Sequence, residues 1–400
     1  MARSKDLNDP DVRKARLTAL RNLKMARSPQ AYVRGSTAKF YEWLGSAEAL
    51  KLPQGPPIWI CGDCHTGNLG PTGSAKGRIE VQIRDLDQTV IGNPAHDLIR
   101  LALSLASAAR GSDLPGVLTA RMIEHLIDGY EHAFDSKDET SRVEPPETVR
   151  GALLFATKRK WTHLARERIA DTKPGIPMGK TFWPLAESER AALTILFSDE
   201  KTRRLVTALS SRDDDAGVEL LDAAYWVKGC SSLGLLRYAA LVQVGGKAGE
   251  VCLVDIKEAT KALAPRAEGV TMPRDNAERV VQGAWHLSPN LGNRMAALRL
   301  NEASVFVREL LPQDLKLNIS HLDPGNATRL ARYLAGVVGT AHARQMDEDL
   351  RLGWRKQLAA GRSKTLDAPS WLWRAVVDLM SLHEAAYLEH CRKYALTHAA

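Results

Sequence analysis

The sequence predicts an α+β protein, rich in helices and interrupted by one compact block of strands. Three observations carry this. Apolar residues recur at helical spacing through much of residues 11–210 and again through 322–400. Between them, stretches within 221–260 and 303–311 are rich in β-branched residues and alternate as strands do. The chain has 400 residues, 44% hydrophobic and 26% charged, enough for two or three domain-sized units that hold together without disulfides.

In chain order, residues 11–50 read as helices broken at Arg34-Gly35 and stopped by Pro53, Gly55, Pro56 and Pro57. "IWICGD" reads as a short buried strand, followed by a polar loop. "GRIEVQIRDLD" places Ile79, Val81 and Ile83 on one face of a second strand. "GNPAHDLIRLALSLASAAR" is a helix with Leu98, Leu101, Ala102 and Leu105 as its stripe, and Asn93 or Asp97 can cap it. "LPGVLTARMIEHLIDGYEHAF" is another helix, and residues 136–150 read as a loop. "LLFATKRKWTHLARERIA" reads as one basic helix, followed by a Pro/Gly-rich loop, the helix "ESERAALTILF" and an exposed linker, "SSRDDDAG". Then come the strands of "AAYWVKGCSSLGLLRYAALVQVGG" and "GEVCLVDIKEA", the helix "DNAERVVQGAWHL" and the strand "ASVFVRELL". The expected division is 1–215 helix-rich, 216–315 β-rich and 316–400 helical.

Composition narrows the function classes. A net charge of +8 favours anionic partners, but 6% aromatics and dispersed cations do not indicate a nucleic-acid surface. The first residues carry no apolar leader, and the most apolar helix contains Arg100, so the expected location is the cytoplasm, off the membrane. Five cysteines, an odd number, do not make a disulfide framework.

"WICGDCHTGNLG" matches C-x-x-C-H on paper. Haem attachment to that motif takes place after export, and a structural zinc site needs four ligands, whereas Cys230, Cys252 and Cys391 stand alone. Cys61 and Cys64 therefore read as small packing residues. Asp63 and Asn68 carry more. They stand five apart, with Gly67 between them to let both side chains point one way. In a phosphoryl-transfer loop a carboxylate meets the attacking hydroxyl, and an amide five residues on holds the metal ion beside the phosphates. "IRDLDQT" then places Asp85 and Asp87 at a strand end, the oxygen donors a Mg²⁺ site needs.

These segments, "GDCHTGNLG … IEVQIRDLDQTVIGNPAHDLIRLALSL", resemble the core motif of the aminoglycoside and choline phosphotransferase branch of the protein-kinase-like superfamily. The resemblance implies Asp63 as catalytic base, Asn68 and Asp85 as Mg²⁺ ligands, and Asp97 as a buttress. Cys61 stands where that motif has a His. Such a fold also needs a small-residue loop over the phosphates and a strand lysine, and only the β-rich block supplies them. Gly229, Ser231, Ser232 and Gly234 form the loop, and Lys257 ends the strand "VCLVDIK". Glu278 is the expected partner that orients Lys257, with Glu258 and Glu268 as rivals. Arg34, the basic run Lys158 to Arg168, and His342 with Arg344 are further candidates for anion or site contacts.

The elements are rotated in order, the pattern of a circular permutation. The whole chain also resembles a bacterial family, domain of unknown function family 2252, through "YVRGS", "GDCHTGNLG", "RDLDQT", "DLIRLALS", "GCSSLG", "DIKEA", "FVREL" and "AHAR". Together these resemblances imply a protein-kinase-like two-lobed fold with circularly permuted connectivity, a helix-rich large lobe and a small β-rich nucleotide lobe. They imply ATP and Mg²⁺ as cofactors and γ-phosphoryl transfer to a hydroxyl of a small-molecule acceptor. Two other outcomes share that fold: AMP transfer to a protein, and a non-catalytic ATP-binding regulator.

Overall fold

The structure, a computed structural model, describes residues 7, 9–46, 51–135, 143–169, 175–230, 232–246, 248–317, 322–360, 362 and 368–394. It is a mixed α+β architecture in which a six-stranded sheet meets a larger helical body. The chain opens with α1 (Pro10–Met25), α2 (Pro29–Gly35) and α3 (Thr37–Leu44). Local chemistry sets the first two starts: Asp9 accepts from the Asp11 amide, Ser28 accepts from the Ala31 amide, and a proline opens the first turn of α1 and of α2.

Two small ribbons follow. β1 (Ile58–Ile60) pairs antiparallel with β4 (Val90–Gly92), and β2 (Leu69–Gly73) pairs with β3 (Ile79–Ile83). They carry the two acidic loops of interest. α4 (Ala95–Gly111) runs through the centre of the helical body, buried from Ala95 to Ala109 except His96. α5 (Gly116–His132) lies beside it, and α6 (Glu147–Thr157) and α7 (Trp161–Ile169) follow. The basic stretch expected as one helix is thus two, turning where Arg159 donates to the Pro312 carbonyl at 2.7 Å.

β5 (Phe182–Trp183), α8 (Glu187–Ser198) and α9 (Glu200–Thr207) lead into β6 (Val218–Trp226), β7 (Arg237–Val244) and β8 (Glu250–Glu258). After α10 (Asn276–Leu287) and the single turn α11 (Pro289–Gly292) come β9 (Met295–Leu300) and β10 (Ala303–Leu310). The sheet order is β5-β6-β7-β8-β10-β9, antiparallel throughout. One face, with Tyr238, Ala240, Val242, Val254, Ile256, Val305 and Val307, packs on α8, α9 and Leu17 of α1. The other, with Ala239, Leu241, Leu253 and Leu310, is covered by Leu164, Ala165 and Ile169 of α7 together with Ile176 and Phe182. Packing therefore joins α1, α7 and residues 175–207 to the sheet. The stretch expected as a linker is also anchored: Arg212 makes a bidentate pair with Glu309 at 2.8 and 2.9 Å.

α12 (Pro324–Ala343), α13 (Glu348–Ala359) and α14 (Ser370–Tyr394) complete the helical body. α12 lies against α5 so closely that a Cβ built on Gly129 would fall 2.1 Å from the Arg332 carbonyl oxygen. Among the described residues no helix is long and apolar enough to cross a membrane.

Candidate functional site

The loop after β1 is fixed from beneath by Asp97. Its two carboxylate oxygens accept the backbone N–H groups of Cys61 (2.7 Å) and Gly62 (2.9 Å), and the His342 ring of α12 stands 3.2 Å away. Asp97 therefore does not cap its own helix; of the two expected caps it is Asn93 whose Oδ1 accepts an N–H at the start of α4, that of Ala95, at 3.0 Å. Gly62 takes φ +74°, where a Cβ would strike the Gln88 carbonyl at 2.1 Å, so only glycine fits that turn. The Tyr41 hydroxyl closes the loop from the other side by donating to the Gly62 carbonyl.

Asp63 is buried and bound on both oxygens. Arg100 Nε donates to one at 2.8 Å and the Thr37 hydroxyl to the other at 2.9 Å. Asn68 Nδ2 donates to the Asp63 carbonyl at 3.0 Å. This ties the two residues together. His65 is buried between them and accepts the Gly67 amide on Nδ1 at 3.1 Å, which requires that nitrogen unprotonated. Burial, and the charges of Arg100 and Arg34 set against Asp63, bring its pKa down to about 3.

Asp85 and Asp87 follow β3 and meet Lys257 of β8 across 170 residues of sequence. Lys257 Nζ lies 3.3 Å from Asp85 Oδ1 and also bonds Asp87 Oδ2. Burial alone would raise both carboxyls. At Asp85 the Lys257 charge outweighs burial and holds the group below the usual carboxylate range. At Asp87 burial and the neighbouring Asp85 charge prevail and push it up. Asp87 Oδ1 is buried with no hydrogen-bond partner among the described residues. That orphaned oxygen, the Asn68 amide oxygen and the Asp85 carboxylate are hard oxygen donors, which fit Mg²⁺.

The small-residue loop runs between β6 and β7. Gly229 and Gly234 adopt φ +102° and +106°, conformations that favour glycine. Lys24 of α1 bonds the Gly229 carbonyl at 3.1 Å, so α1 braces the loop. Ser231 lies outside the described residues. A single cavity of ≈ 540 Å³ is lined by Ser232 of this loop together with Thr37, Asp63, Asn68, Asp85 and Asp87. The structure therefore brings the two acidic loops, the lysine and the small-residue loop to one place.

Glu278 does not join them. It is exposed in the first turn of α10, and the next residue turns inward instead. Arg279 donates to the carbonyls of Asp87 (3.0 Å), Thr260 (2.9 Å) and Thr89 (2.5 Å). One residue is a rotation of about 100° on a helix, enough to exchange a surface position for a buried one. Of the rivals, Glu258 accepts the Leu236 amide at 2.8 Å and Glu268 is exposed. Arg344 lines a different cavity with Gln82 and His132. Sequence reasoning missed Arg100, Thr37 and Tyr41. The signal for Arg100 was present: one arginine in the apolar run of α4, which has to find a carboxylate if the helix is buried.

Cys61 and Cys64 are buried and free, and with Asp97 they place three ligand atoms within 4.8 Å of one another. The Asp97 oxygens are already taken by two amides. The hydrogen bond that the Cys61 thiol donates to Cys64, then burial, raises the Cys61 pKa well above its ordinary value. The cluster offers three ligand atoms among the described residues, one of them on a carboxylate already bound by two amides, short of the four a structural zinc site takes.

A family model described as "Uncharacterized protein conserved in bacteria (DUF2252)" matches residues 13–393, and the chain belongs to that family. No curated protein and no solved structure matches the chain.

Proposed function

We propose that this protein is an ATP- and Mg²⁺-dependent phosphotransferase that moves the γ-phosphoryl group to a hydroxyl of a small-molecule acceptor. On this reading the fold is protein-kinase-like and two-lobed, with circularly permuted connectivity. The observation that carries it is the meeting of Lys257 with Asp85 and Asp87 at the cavity that Asp63, Asn68 and Ser232 also line. Two features of the chain path support it. The small-residue loop and the strand lysine lie on consecutive hairpin strands, β6-β7-β8. α12 follows the sheet in sequence yet returns to the first acidic loop, where His342 meets Asp97.

Asn68, Asp85 and Asp87 would hold Mg²⁺, which neutralises phosphate oxygens. Asp63, oriented by Arg100 and Thr37, accepts the acceptor's hydroxyl proton. The acceptor oxygen forms its bond to γ-phosphorus as the bond to the bridging oxygen breaks, and ADP leaves with that electron pair. Lys257 turns from the carboxylates to the donor's phosphate oxygens.

Thermal unfolding with ATP, ADP or GTP, with and without Mg²⁺, tests this in wild type, Lys257→Ala and Asp85→Asn. A ligand at a hundred times its Kd stabilises by about 2.7 kcal/mol, a readable rise in Tm. The rise is expected in wild type, with metal present, and lost in both variants. No metal-dependent rise, or equal rises in all three proteins, would overturn the assignment. Product mass separates phosphate addition from AMP addition.

A further inference from the structure

We propose that the first turn of α3 is a phosphate subsite beside Asp63, and that the acceptor is a hydroxyl compound carrying its own phosphate group. The subsite does not depend on the phosphotransferase reading above; its assignment to the acceptor rests on that reading.

Ser36, Thr37, Ala38 and Lys39, the residue before α3 and its first turn, all line the cavity that holds Asp63, Asp85 and Asp87. A helix start leaves N–H groups unpaired and carries partial positive charge, which suits a phosphate. Here no side chain caps it, and the N–H groups of Thr37 and Ala38 find no acceptor among the described residues. Ser36 stands where a serine hydroxyl ordinarily accepts one of these N–H groups. Instead its Oγ is buried with no partner among the described residues, in a residue 7% exposed. A buried hydroxyl without a partner is costly, and a ligand oxygen in the cavity relieves it.

The charges of the cavity point the same way. Its carboxylates already have donors: Arg100 holds Asp63, Lys257 holds Asp85 and Asp87, Lys39 holds Glu42 at 2.6 Å, and the Leu236 amide holds Glu258. Arg21 of α1 and Lys261 line the same cavity and meet no carboxylate among the described residues. A phosphate dianion gains more from two free cations and a helix end than a singly charged carboxylate does. Thr37 ties the subsite to the chemistry. Its N–H belongs to the free turn, while its hydroxyl donates to Asp63 Oδ2 at 2.9 Å. A compound held by its phosphate at this turn therefore keeps its hydroxyl end near the proposed base. The wall beyond is aromatic: the Tyr32 and His390 rings lie 5.3 Å apart and those of His390 and Tyr394 4.7 Å. It offers a surface for the carbon skeleton that joins the two groups.

Calorimetric titration with inorganic phosphate tests this in wild type, Arg21→Gln and Ala38→Glu. Ala38 is exposed, and a carboxylate in a first turn favours the helix, so Ala38→Glu keeps the fold while setting a negative charge at the subsite. Phosphate is expected to bind wild type, about tenfold more weakly to Arg21→Gln and about a hundredfold more weakly to Ala38→Glu. The titration is repeated on wild type saturated with Mg²⁺ and β,γ-imido-ATP, whose γ-phosphoryl group does not transfer, and phosphate is expected to bind alongside it. Affinity unchanged in both variants, or no phosphate bound by wild type in the millimolar range, overturns the subsite. Phosphate excluded by the bound analogue takes the donor's place; that overturns the inference and leaves the phosphotransferase reading standing. Acetate bound as tightly as phosphate overturns the choice of phosphate. Phosphate bound as expected, with no Mg²⁺-dependent binding of the analogue, keeps the subsite and overturns the phosphotransferase reading. If neither ligand binds, both fall.

Discussion

At the residue scale, Asp63 and Arg100 show how a buried charge is tolerated. Arg100 is fully buried, donates to Asp63 and to the Val33 carbonyl, and lies near the Phe40 ring. Removing it leaves a buried carboxylate with only Thr37. Arg100→Met is expected to destabilise the protein by about 3–5 kcal/mol, read from denaturant unfolding. His65 gives a pH prediction. The folded state keeps it neutral to about pH 3, while the unfolded chain takes its proton near 6.5. Between those values the unfolded state binds more protons, so stability is present above 6.5 and falls as pH drops. His383, buried and lowered to about 4, acts in the same direction. Tm measured across this window should fall less steeply in His65→Asn.

At the element scale, legibility followed sequence distance. The alternation of Val251 to Ile256 announced β8, and the acidic loops were readable because each is continuous in sequence. Gly229 and Gly234 stood out as small residues in a loop between strands, and the structure gives both positive φ. What escaped was whatever depends on a distant partner. Arg100 reaches Asp63 across 37 residues and His342 reaches Asp97 across 245. β9 escaped because "NRMAALRL" is short and weakly alternating; pairing with β10 makes it a strand. Glu278 failed for a helical reason, since phase and not spacing chose Arg279. The packing of α5 on α12 makes its own prediction. Gly129→Val forces two backbones apart and should lower stability by several kcal/mol, on the order of an overpacked core or more.

At the scale of the whole molecule, the sheet and the helical body are joined by buried polar contacts. Arg13 of α1 bonds Glu189 at 2.6 Å on the sheet side, while His390 and Tyr387 of α14 bond carbonyls at the other end of the same helical segment. Arg294 ties the Gly73 and Glu309 carbonyls to the Asp314 carboxylate and is 1% exposed. Arg294→Met is expected to cost about 3–5 kcal/mol and to loosen the sheet from the β2–β3 ribbon. Hydrogen exchange would then show both elements opening together, and protection unchanged at Gly73 and Glu309 would count against that role.

Lys257 leaning on Asp85 and Asp87 has a further result under the proposed function. A divalent ion arriving alone has to compete with an ammonium for the same oxygens, and an anion arriving alone has to draw that ammonium away from two carboxylates. When both come together, each removes the other's obstacle. By reciprocal linkage, the affinity for either guest should rise in the presence of the other by an equal factor.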